Sequence, residues 1–176
     1  MRVIAIVQAR LGSIRLPEKV LQNICDKPLI ELLLARLSNS TQVDEIIVAT
    51  SKEPKNDKLQ LFVESLGFKC TRGSEEDVLH RFHESAKEMN ADVVVRITGD
   101  CPLIDPLIID QCINQFKESN VDYFSNIDPA TFPDGLDVEV MSFKAIEQAN
   151  LEAISSYDRE HVTTYIRNSE NFCKSS

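Results

Sequence analysis

The stretch that decides the fold class lies at residues 2–19 and reads Arg2-Val3-Ile4-Ala5-Ile6-Val7-Gln8-Ala9-Arg10-Leu11-Gly12-Ser13-Ile14-Arg15-Leu16-Pro17-Glu18-Lys19. Residues 2–8 form a nearly continuous apolar run, which is typical of a central strand buried on both faces of a parallel sheet. The run ends at Gln8, and the next segment contains one glycine, one serine, two arginines and a lysine. Backbone N–H groups and guanidinium groups can both bind an anion in such a loop. The stretch therefore predicts an α/β protein that binds phosphate after its first strand.

Strand and helix patterns alternate along the rest of the chain. Apolar runs predict further strands at 44–50, 68–71, 92–98, 121–125 and 137–141. Apolar residues at helical spacing predict helices at 29–37, 57–66, 74–89, 106–118, 142–153 and 157–168. This alternation predicts an α/β fold with a mixed, mostly parallel sheet flanked by helices on both faces. Because ligands bind at the carboxyl ends of strands in such sheets, we expect the loops at 8–19, 72–77 and 99–105 on one rim.

Length and composition restrict the function classes. The 176 residues suffice for one domain with a sizeable core, which we expect to span residues 1–176. The formal net charge of −9 argues against a protein that binds nucleic acid or anionic membranes, since proteins of both classes have a surplus of basic residues. The five cysteines form no CxxC pair, and no signal peptide or membrane-spanning run is visible. We therefore expect a cytoplasmic protein with reduced thiols.

The loop after the first strand contains the first group of candidate residues. Arg10, Arg15 and Lys19 can neutralise a polyphosphate, and Gly12 lets the backbone approach the anion. Neither GxGxxG nor a GxxxxGK sequence followed by Ser or Thr is present, so a dinucleotide-binding Rossmann site and a P-loop ATPase are disfavoured. The alternative is a solvated basic turn, which the spacing alone leaves open.

A second group follows the predicted strand at 92–98 and reads Arg96-Ile97-Thr98-Gly99-Asp100-Cys101-Pro102-Leu103-Ile104-Asp105-Pro106. Asp100 stands directly after a central strand, where a divalent cation that bridges phosphates needs a hard oxygen ligand. Mg²⁺ typically takes one or two carboxylates and completes its shell with phosphate and water. The alternative is that Asp100 caps the next helix, but Asp105, directly before Pro106, is better placed for that cap.

A third group lies in the segment Phe132-Pro133-Asp134-Gly135-Leu136-Asp137-Val138-Glu139-Val140. Asp137 and Glu139 are two residues apart on a predicted strand and therefore project to the same face. Two carboxylates on one face repel each other unless a cation or an arginine lies between them. This pair predicts a charged site, and the alternative is a strand edge that faces solvent.

Five motifs, taken in order, resemble a known family and read Gln8-Ala-Arg-Leu-Gly-Ser-Ile-Arg-Leu-Pro-Glu-Lys19, Thr71-Arg-Gly-Ser-Glu-Glu-Asp-Val-Leu79, Arg96-Ile-Thr-Gly-Asp-Cys-Pro-Leu-Ile-Asp105, Pro133-Asp-Gly-Leu-Asp-Val-Glu-Val140 and Asp158-Arg-Glu-His-Val-Thr-Thr-Tyr-Ile-Arg167. Over essentially its whole length the chain resembles cytidylyltransferases of the SpsF type, which act in spore coat polysaccharide biosynthesis. These are relatives of the acylneuraminate and 3-deoxy-manno-octulosonate cytidylyltransferases. The resemblance implies a glycosyltransferase-A-like nucleotidyltransferase fold. It also implies transfer of CMP from CTP to a sugar or sugar-like acid, with Mg²⁺ as cofactor, pyrophosphate as product and a role in surface polysaccharide biosynthesis.

The resemblance also implies roles for individual residues. The residues implied at the triphosphate are Arg10, Gly12, Ser13, Arg15 and Lys19, and Arg72 is implied near the cytosine. Asp100 and Asp137 are the implied Mg²⁺ ligands, with Glu139 beside them at the sugar end. Arg159 and His161 are implied near the acceptor, and Arg15, Lys19 and Asp100 are the implied catalytic residues.

The chain also departs from the family pattern. Ile14 and Arg15 replace the Lys-Gly pair of the acylneuraminate enzymes, and Val20 follows Lys19 in place of their Asn, so their sugar is not implied. Family members usually continue beyond the equivalent of Ser176 with another strand and helix, which predicts a shortened chain or a missing sheet element. Relatives are often dimers, so a homodimer is a further expectation. The rival function is a non-catalytic nucleotide-sugar-binding or regulatory module, which would need the basic loop but not the carboxylates.

Overall fold

The computed structural model describes residues 1–12 and 16–176. The strands in these ranges are β1 (Val3–Gln8), β2 (Asn23–Ile24), β3 (Lys27–Pro28), β4 (Glu45–Ser51), β5 (Lys69–Gly73), β6 (Val93–Thr98), β7 (Tyr123–Ser125), β8 (Glu139–Ser142) and β9 (Lys174–Ser175). The α-helices are α1 (Leu29–Leu37), α2 (Asp57–Ser65), α3 (Val78–Glu88), α4 (Pro106–Ser119), α5 (Phe143–Glu152), α6 (Ser156–His161) and α7 (Thr164–Asn168). Single turns of 3₁₀ helix lie at Lys19–Leu21 and Pro54–Asn56. Among the helices of the described ranges, none has the length and apolar character needed to span a bilayer.

The sheet is mixed and mostly parallel, as the sequence predicts. Its seven strands in the described part of the chain follow the order β5-β4-β1-β6-β8-β7-β9. β1 pairs in parallel with β4 and β6, and β4 pairs in parallel with β5. β8 runs antiparallel to both of its neighbours, β6 and β7. Since β1 lies inside the sheet, the predicted central position of the first apolar run is confirmed.

Alternate residues of β1 face opposite layers of helices. Val3, Ala5 and Val7 belong to a core with apolar side chains of α1, α2 and α4, whereas Ile4 and Ile6 belong to a core with those of α3, α5 and α7. None of these five side chains is more than 1% exposed. Burying an aliphatic side chain completely contributes about 1.5–3 kcal/mol, so both cores favour an apolar strand. The run is apolar on both faces because helices cover both faces.

The loops that follow β1 and β6 lie side by side at the carboxyl edge of the sheet. Gln8 stands opposite Thr98 in the parallel pairing. The Gly99 N–H donates to the Gln8 carbonyl at 2.8 Å. A Cβ at Gly99 would lie only 2.6 Å from that same oxygen, so this approach requires glycine. The two loops thus share one rim, as the alternation of strands and helices predicts.

Three local predictions differ from the structure. The helix predicted at 157–168 is divided into α6 and α7, because Val162 has φ 64° and ψ −59° and ends α6. The helix predicted at 74–89 begins only at Val78, and Asp77 caps it by accepting a hydrogen bond from the His80 N–H at 2.9 Å. The hairpin β2–β3 and the edge strand β9 were not predicted, because strands of two residues show no periodic pattern.

Candidate active site

A cavity of about 710 Å³ opens at the carboxyl ends of β1 and β6. Its lining includes residues from the loop after β1, the 3₁₀ turn at Lys19–Leu21, the start of α3, the end of β6 and the end of α6. Of the residues that the sequence predicts for a site, the cavity brings together Arg10, Gly12, Lys19, Asp100 and His161. This is the rim where open α/β sheets bind ligands, so we take it as the candidate active site.

The loop after β1 is anchored from below by a buried asparagine. Asn56 is fully buried, and its Oδ1 accepts a hydrogen bond from the Leu11 N–H at 2.8 Å. The Asn56 Nδ2 donates in turn to the Ser51 hydroxyl at 2.7 Å. Above this anchor, a Cβ at Gly12 would lie 2.9 Å from the Lys55 Nζ. Asn56 therefore holds the start of the basic loop in place, a role that no sequence pattern had indicated.

Three basic side chains in this region, those of Arg10, Lys19 and Lys55, are paired with carboxylates. Arg10 Nη1 lies 3.2 Å from Glu75 Oε1, and Lys55 Nζ lies 3.1 Å from the same oxygen. Lys19 Nζ lies 2.6 Å from Asp100 Oδ2. Burial alone would raise the pKa of Glu75, but hydrogen bonds and the nearby positive charges outweigh burial and lower it. If a phosphate group bound here, these cations would exchange their carboxylate partners for phosphate oxygens.

Asp100 is positioned by the end of β6 and is free of a capping role. The helix after it, α4, is capped by Asp105, whose side chain accepts from the Leu107 N–H at 2.8 Å. The Asp100 side chain is 45% exposed. Burial acts to raise its pKa, but the hydrogen bond and positive charge of Lys19 outweigh burial and lower the pKa. Asp100 is therefore an ionised carboxylate on the cavity wall, and the prediction that Asp105 is the cap is confirmed.

Three carboxylates act electrostatically on the thiol of Cys101. Burial raises the pKa of this thiol, and the charges of Asp100, Asp137 and Asp134 raise it further. Burial, followed by repulsion from Asp134, also raises the pKa of Asp137, which does not line the cavity. Among the described residues, three potential ligand atoms come within 4.8 Å of one another at His80, His83 and Glu84 and not at these aspartates. The assignment of Mg²⁺ to Asp100 and Asp137 therefore stays a prediction.

Glu139 lies beneath the cavity rather than on its surface. Its side chain is 4% exposed, it accepts a hydrogen bond from Arg96 Nη1, and its Oε1 accepts from the Tyr123 hydroxyl at 2.6 Å. Burial acts to raise its pKa, but the charge of Arg96 and the hydrogen bonds of Tyr123 and Thr163 outweigh burial and lower it. The structure pairs Glu139 with Arg96, and its place at the sugar end stays a prediction. For Glu139 the alternative of a solvent-facing strand edge is wrong.

Arg96 and Gln8 line the cavity, although the sequence pattern assigns no role to either residue. The Arg96 side chain, on β6, is 16% exposed and lines the cavity together with Gln8 and Thr98. Arg96 Nη2 lies 3.4 Å from the Gln8 Oε1. A signal was present, because an arginine interrupts the otherwise apolar run of the strand. Such a residue on a buried strand needs a buried partner, which here is Glu139.

Arg159 is engaged in contacts with two neighbouring helices. Its Nε and Nη2 donate to the two carboxylate oxygens of Asp77 at 2.9 and 2.6 Å. Its Nη1 donates to the Asn150 carbonyl at 2.7 Å, and Nη2 donates to the Asn150 Oδ1 at 2.9 Å. Arg159 thus bridges the cap of α3, α5 and α6, and its place near the acceptor stays a prediction.

Arg72 is likewise held within the loop that follows β4. Its Nε donates to the Ser51 carbonyl at 2.6 Å, its Nη1 to Gln60 Oε1 at 2.6 Å and its Nη2 to Asp57 Oδ1 at 2.8 Å. These contacts fix the Arg72 side chain, and its place near the cytosine stays a prediction. Two further candidates, Ser13 and Arg15, lie outside the described residues, and their roles stay predictions.

Comparison with known proteins identifies the family of this chain. Residues 4–175 match the family model described as cytidylyltransferase. The chain is 34% identical over 171 residues to the spore coat polysaccharide biosynthesis protein SpsF of Bacillus subtilis, covering 94% of this chain and 70% of that protein.

Solved structures show the same architecture. A cytidylyltransferase from Leptospira borgpetersenii superposes with a TM-score of 0.94 at 33% identity, covering 99% of this chain and 75% of that one. A CMP:2-keto-3-deoxy-manno-octonic acid synthetase complexed with CTP superposes with a TM-score of 0.77 at 16% identity, covering 100% of this chain and 89% of that one. The second likeness concerns the fold alone.

Proposed function

Because the chain belongs to the cytidylyltransferase family, we propose that it transfers CMP from CTP to a sugar or sugar-like acid for surface polysaccharide biosynthesis. In this reaction a hydroxyl oxygen of the sugar attacks the α-phosphorus of CTP. The bond between that phosphorus and the β-phosphate bridging oxygen breaks, pyrophosphate leaves, and the hydroxyl proton passes to solvent. The protein forms no covalent bond and contributes by positioning the reactants and by neutralising charge.

The observation that carries this proposal is the ion pair between Lys19 and Asp100, which both line the cavity. Lys19 Nζ lies 2.6 Å from Asp100 Oδ2. A nucleotidyltransferase needs a cation for the triphosphate and a carboxylate for a metal ion, and the two lie together here. When CTP binds, Lys19 and Arg10 turn from their carboxylate partners to phosphate oxygens. A module that only binds nucleotides needs the cations but not the carboxylates of Asp100 and Asp137.

The same carboxylates would hold the metal ion. Asp100 and Asp137 are the residues we assign to Mg²⁺, since the family resemblance implies both and Mg²⁺ prefers carboxylate oxygens as ligands. The bound ion would supply neutralisation of the negative charge that develops on the triphosphate. Asp100 stays ionised for this purpose while Lys19 accompanies it in the free protein, because that pair lowers the pKa of Asp100.

We assign the second reactant to the part of the cavity that is lined by β6 and the end of α6. The lining there includes Arg96 and Thr98 of β6, Gln8 of β1, and Glu160 and His161 of α6. All of these side chains can form hydrogen bonds with sugar hydroxyl groups. The SpsF relative, whose name refers to a polysaccharide, supports a sugar acceptor.

The test is pyrophosphate release from CTP in the presence of MgCl₂ and a panel of acceptors. The panel contains 3-deoxy-manno-octulosonate, N-acetylneuraminate and neutral hexoses, and UTP, GTP and ATP replace CTP in parallel. We expect release with CTP and one class of sugar, and none when EDTA removes the metal. Tight CTP binding without release for any sugar would instead support the non-catalytic binding module.

Replacing Lys19 should slow the reaction without unfolding the protein. We expect Lys19→Met to lower kcat/KM for CTP by about 100-fold or more, the range for loss of one electrostatic contact in the transition state. The matched control is Lys27→Met, which breaks an exposed pair with Glu31 at 2.7 Å and should leave kcat/KM unchanged. Equal activity of Lys19→Met and the control would contradict the role assigned to Lys19.

A further inference from the structure

The turn between α6 and α7 has a backbone conformation that its sequence disfavours. Val162 has φ 64° and ψ −59°, and the Thr163 N–H donates to the His161 carbonyl at 2.7 Å. This hydrogen bond across one residue defines a γ-turn of the strained, positive-φ type. Valine is β-branched, and such residues are genuine outliers at positive φ. A glycine would adopt the turn without strain, yet the chain has valine there.

The surroundings explain how the turn is maintained. The Val162 side chain is fully buried in the core that includes Ile146 of α5 and Ile166 of α7. The Val162 N–H donates to the Asp158 carbonyl at 3.1 Å, and the Thr163 carbonyl accepts from the Arg167 N–H at 2.9 Å. Burial of the valine and bonds on both sides of it thus hold a conformation that would not persist in an isolated segment.

The turn lies directly beside the helical wall of the cavity. On its N-terminal side it carries Glu160 and His161, which line the cavity at the end of α6. On its C-terminal side Thr163, only 2% exposed, is the residue directly before α7. A single strained residue therefore separates the cavity-lining end of α6 from α7.

We propose that Val162 is a positioning residue of the acceptor site, whose strained turn fixes Glu160 and His161 against the cavity. The proposal rests on the function proposed above for the part that concerns catalysis. Strained backbone persists where the surrounding structure determines it and often accompanies functional sites. The continuous helix that the sequence predicts at 157–168 would remove the turn and change the positions of Glu160 and His161.

The first test compares glycine and alanine at the same position without any ligand. Both Val162→Ala and Val162→Gly lose the buried side chain, but only glycine relieves the strain. We expect Val162→Gly to melt above Val162→Ala by ~3 °C, a reversal of the usual order. The control pair is Val63→Ala and Val63→Gly, at a fully buried valine inside α2, where glycine should melt below alanine.

The second test reads the position of His161. The chain has three histidines, so the ring signals of labelled His80, His83 and His161 can be assigned by single substitutions. We expect Val162→Gly to shift or broaden only the His161 signals. The kinetic comparison uses the acceptor of highest turnover in the panel. We expect the KM of Val162→Gly for this acceptor to be about tenfold higher than that of Val162→Ala, while the CTP affinities of the two variants agree within about twofold.

Each outcome decides part of the proposal. If Val162→Gly melts below Val162→Ala, the turn is not strained and the proposal is overturned. If the melting order reverses but the His161 signals or the acceptor KM do not change, the turn positions nothing and the proposal is likewise overturned. Absence of turnover in the wild-type protein contradicts the nucleotidyl-transfer function instead. The melting order and the His161 signals still decide on the turn in that case.

Discussion

Asp100→Asn is expected to lower turnover by about a thousandfold or more while CTP affinity falls by less than about tenfold. The carboxamide keeps the shape of the side chain but loses the charge that pairs with Lys19 and that we assign to the metal. Charge neutralisation matters most in the transition state, so turnover suffers more than binding. The measurements are pyrophosphate release under saturating CTP and calorimetric titration with CTP.

The matched control for this substitution lies five residues further along the same loop. Asp105→Asn retains a good cap for α4, because asparagine caps helices about as well as aspartate, and should leave both quantities unchanged. Asp100→Asn protein that releases pyrophosphate at the wild-type rate would remove Asp100 from the mechanism. An equal loss in both variants would indicate that the loop, rather than the Asp100 charge, matters.

Glu139→Gln is expected to destabilise the protein by about 3–5 kcal/mol, the usual effect of removing one partner of a buried ion pair. Arg96 would remain largely buried without its counter-charge, since the two side chains are only 16% and 4% exposed. For a chain of this size the loss corresponds to a fall in Tm of about 10 °C. Thermal unfolding of Glu139→Gln against Glu147→Gln, an exposed glutamate on α5, measures the difference.

A double substitution separates the charge from the packing. Arg96→Met combined with Glu139→Met removes both charges, and we expect it to recover part of the stability lost in Glu139→Gln. Its acceptor KM should nevertheless be raised, since Arg96 no longer lines the cavity. If the Tm of Glu139→Gln equals that of the wild type, the ion pair contributes nothing to the stability of the fold.

The pair also sets a direction for the effect of pH. The folded-state pKa of Glu139 is lowered, because Arg96 and two hydrogen bonds outweigh burial. Its contribution to stability is therefore present above the unfolded pKa, about 4.3, and is lost as pH falls through the folded value. The unfolded state binds more protons in that window, so stability decreases on acidification. Glu139→Gln should show a smaller decrease than the wild type over the same range.

The sequence predicts the architecture well because burial on both faces leaves a clear pattern. The run at β1 is apolar since helices cover both sides of it, and an alternation of such runs with helical segments has few other solutions. The division of the predicted helix at 157–168 left no such pattern. Every residue around Val162 is compatible with a helix, and the turn is maintained by the burial of its side chain together with the hydrogen bonds on both sides.

The charged residues that line the candidate site were easier to predict from the sequence than the residues that hold them in place. Lys19 and Asp100 follow buried strands or their loops, so their place on the rim comes from topology. The role of Glu139 depends on Arg96, which is 43 residues away in sequence and pairs with it only in the folded sheet. Arg159 shows the same limit, because the sequence does not reveal that its guanidinium group binds Asp77, the cap of α3.

The central claim is that CTP is attacked at its α-phosphorus by a sugar. The most direct measurement follows CTP that carries a radiolabel in the α-phosphate, incubated with MgCl₂ and the acceptor panel. The proposed reaction predicts that the label moves into a CMP–sugar product while unlabelled pyrophosphate is released in equal amount. Label retained in CTP with every acceptor, or found in CDP with release of orthophosphate, would contradict it.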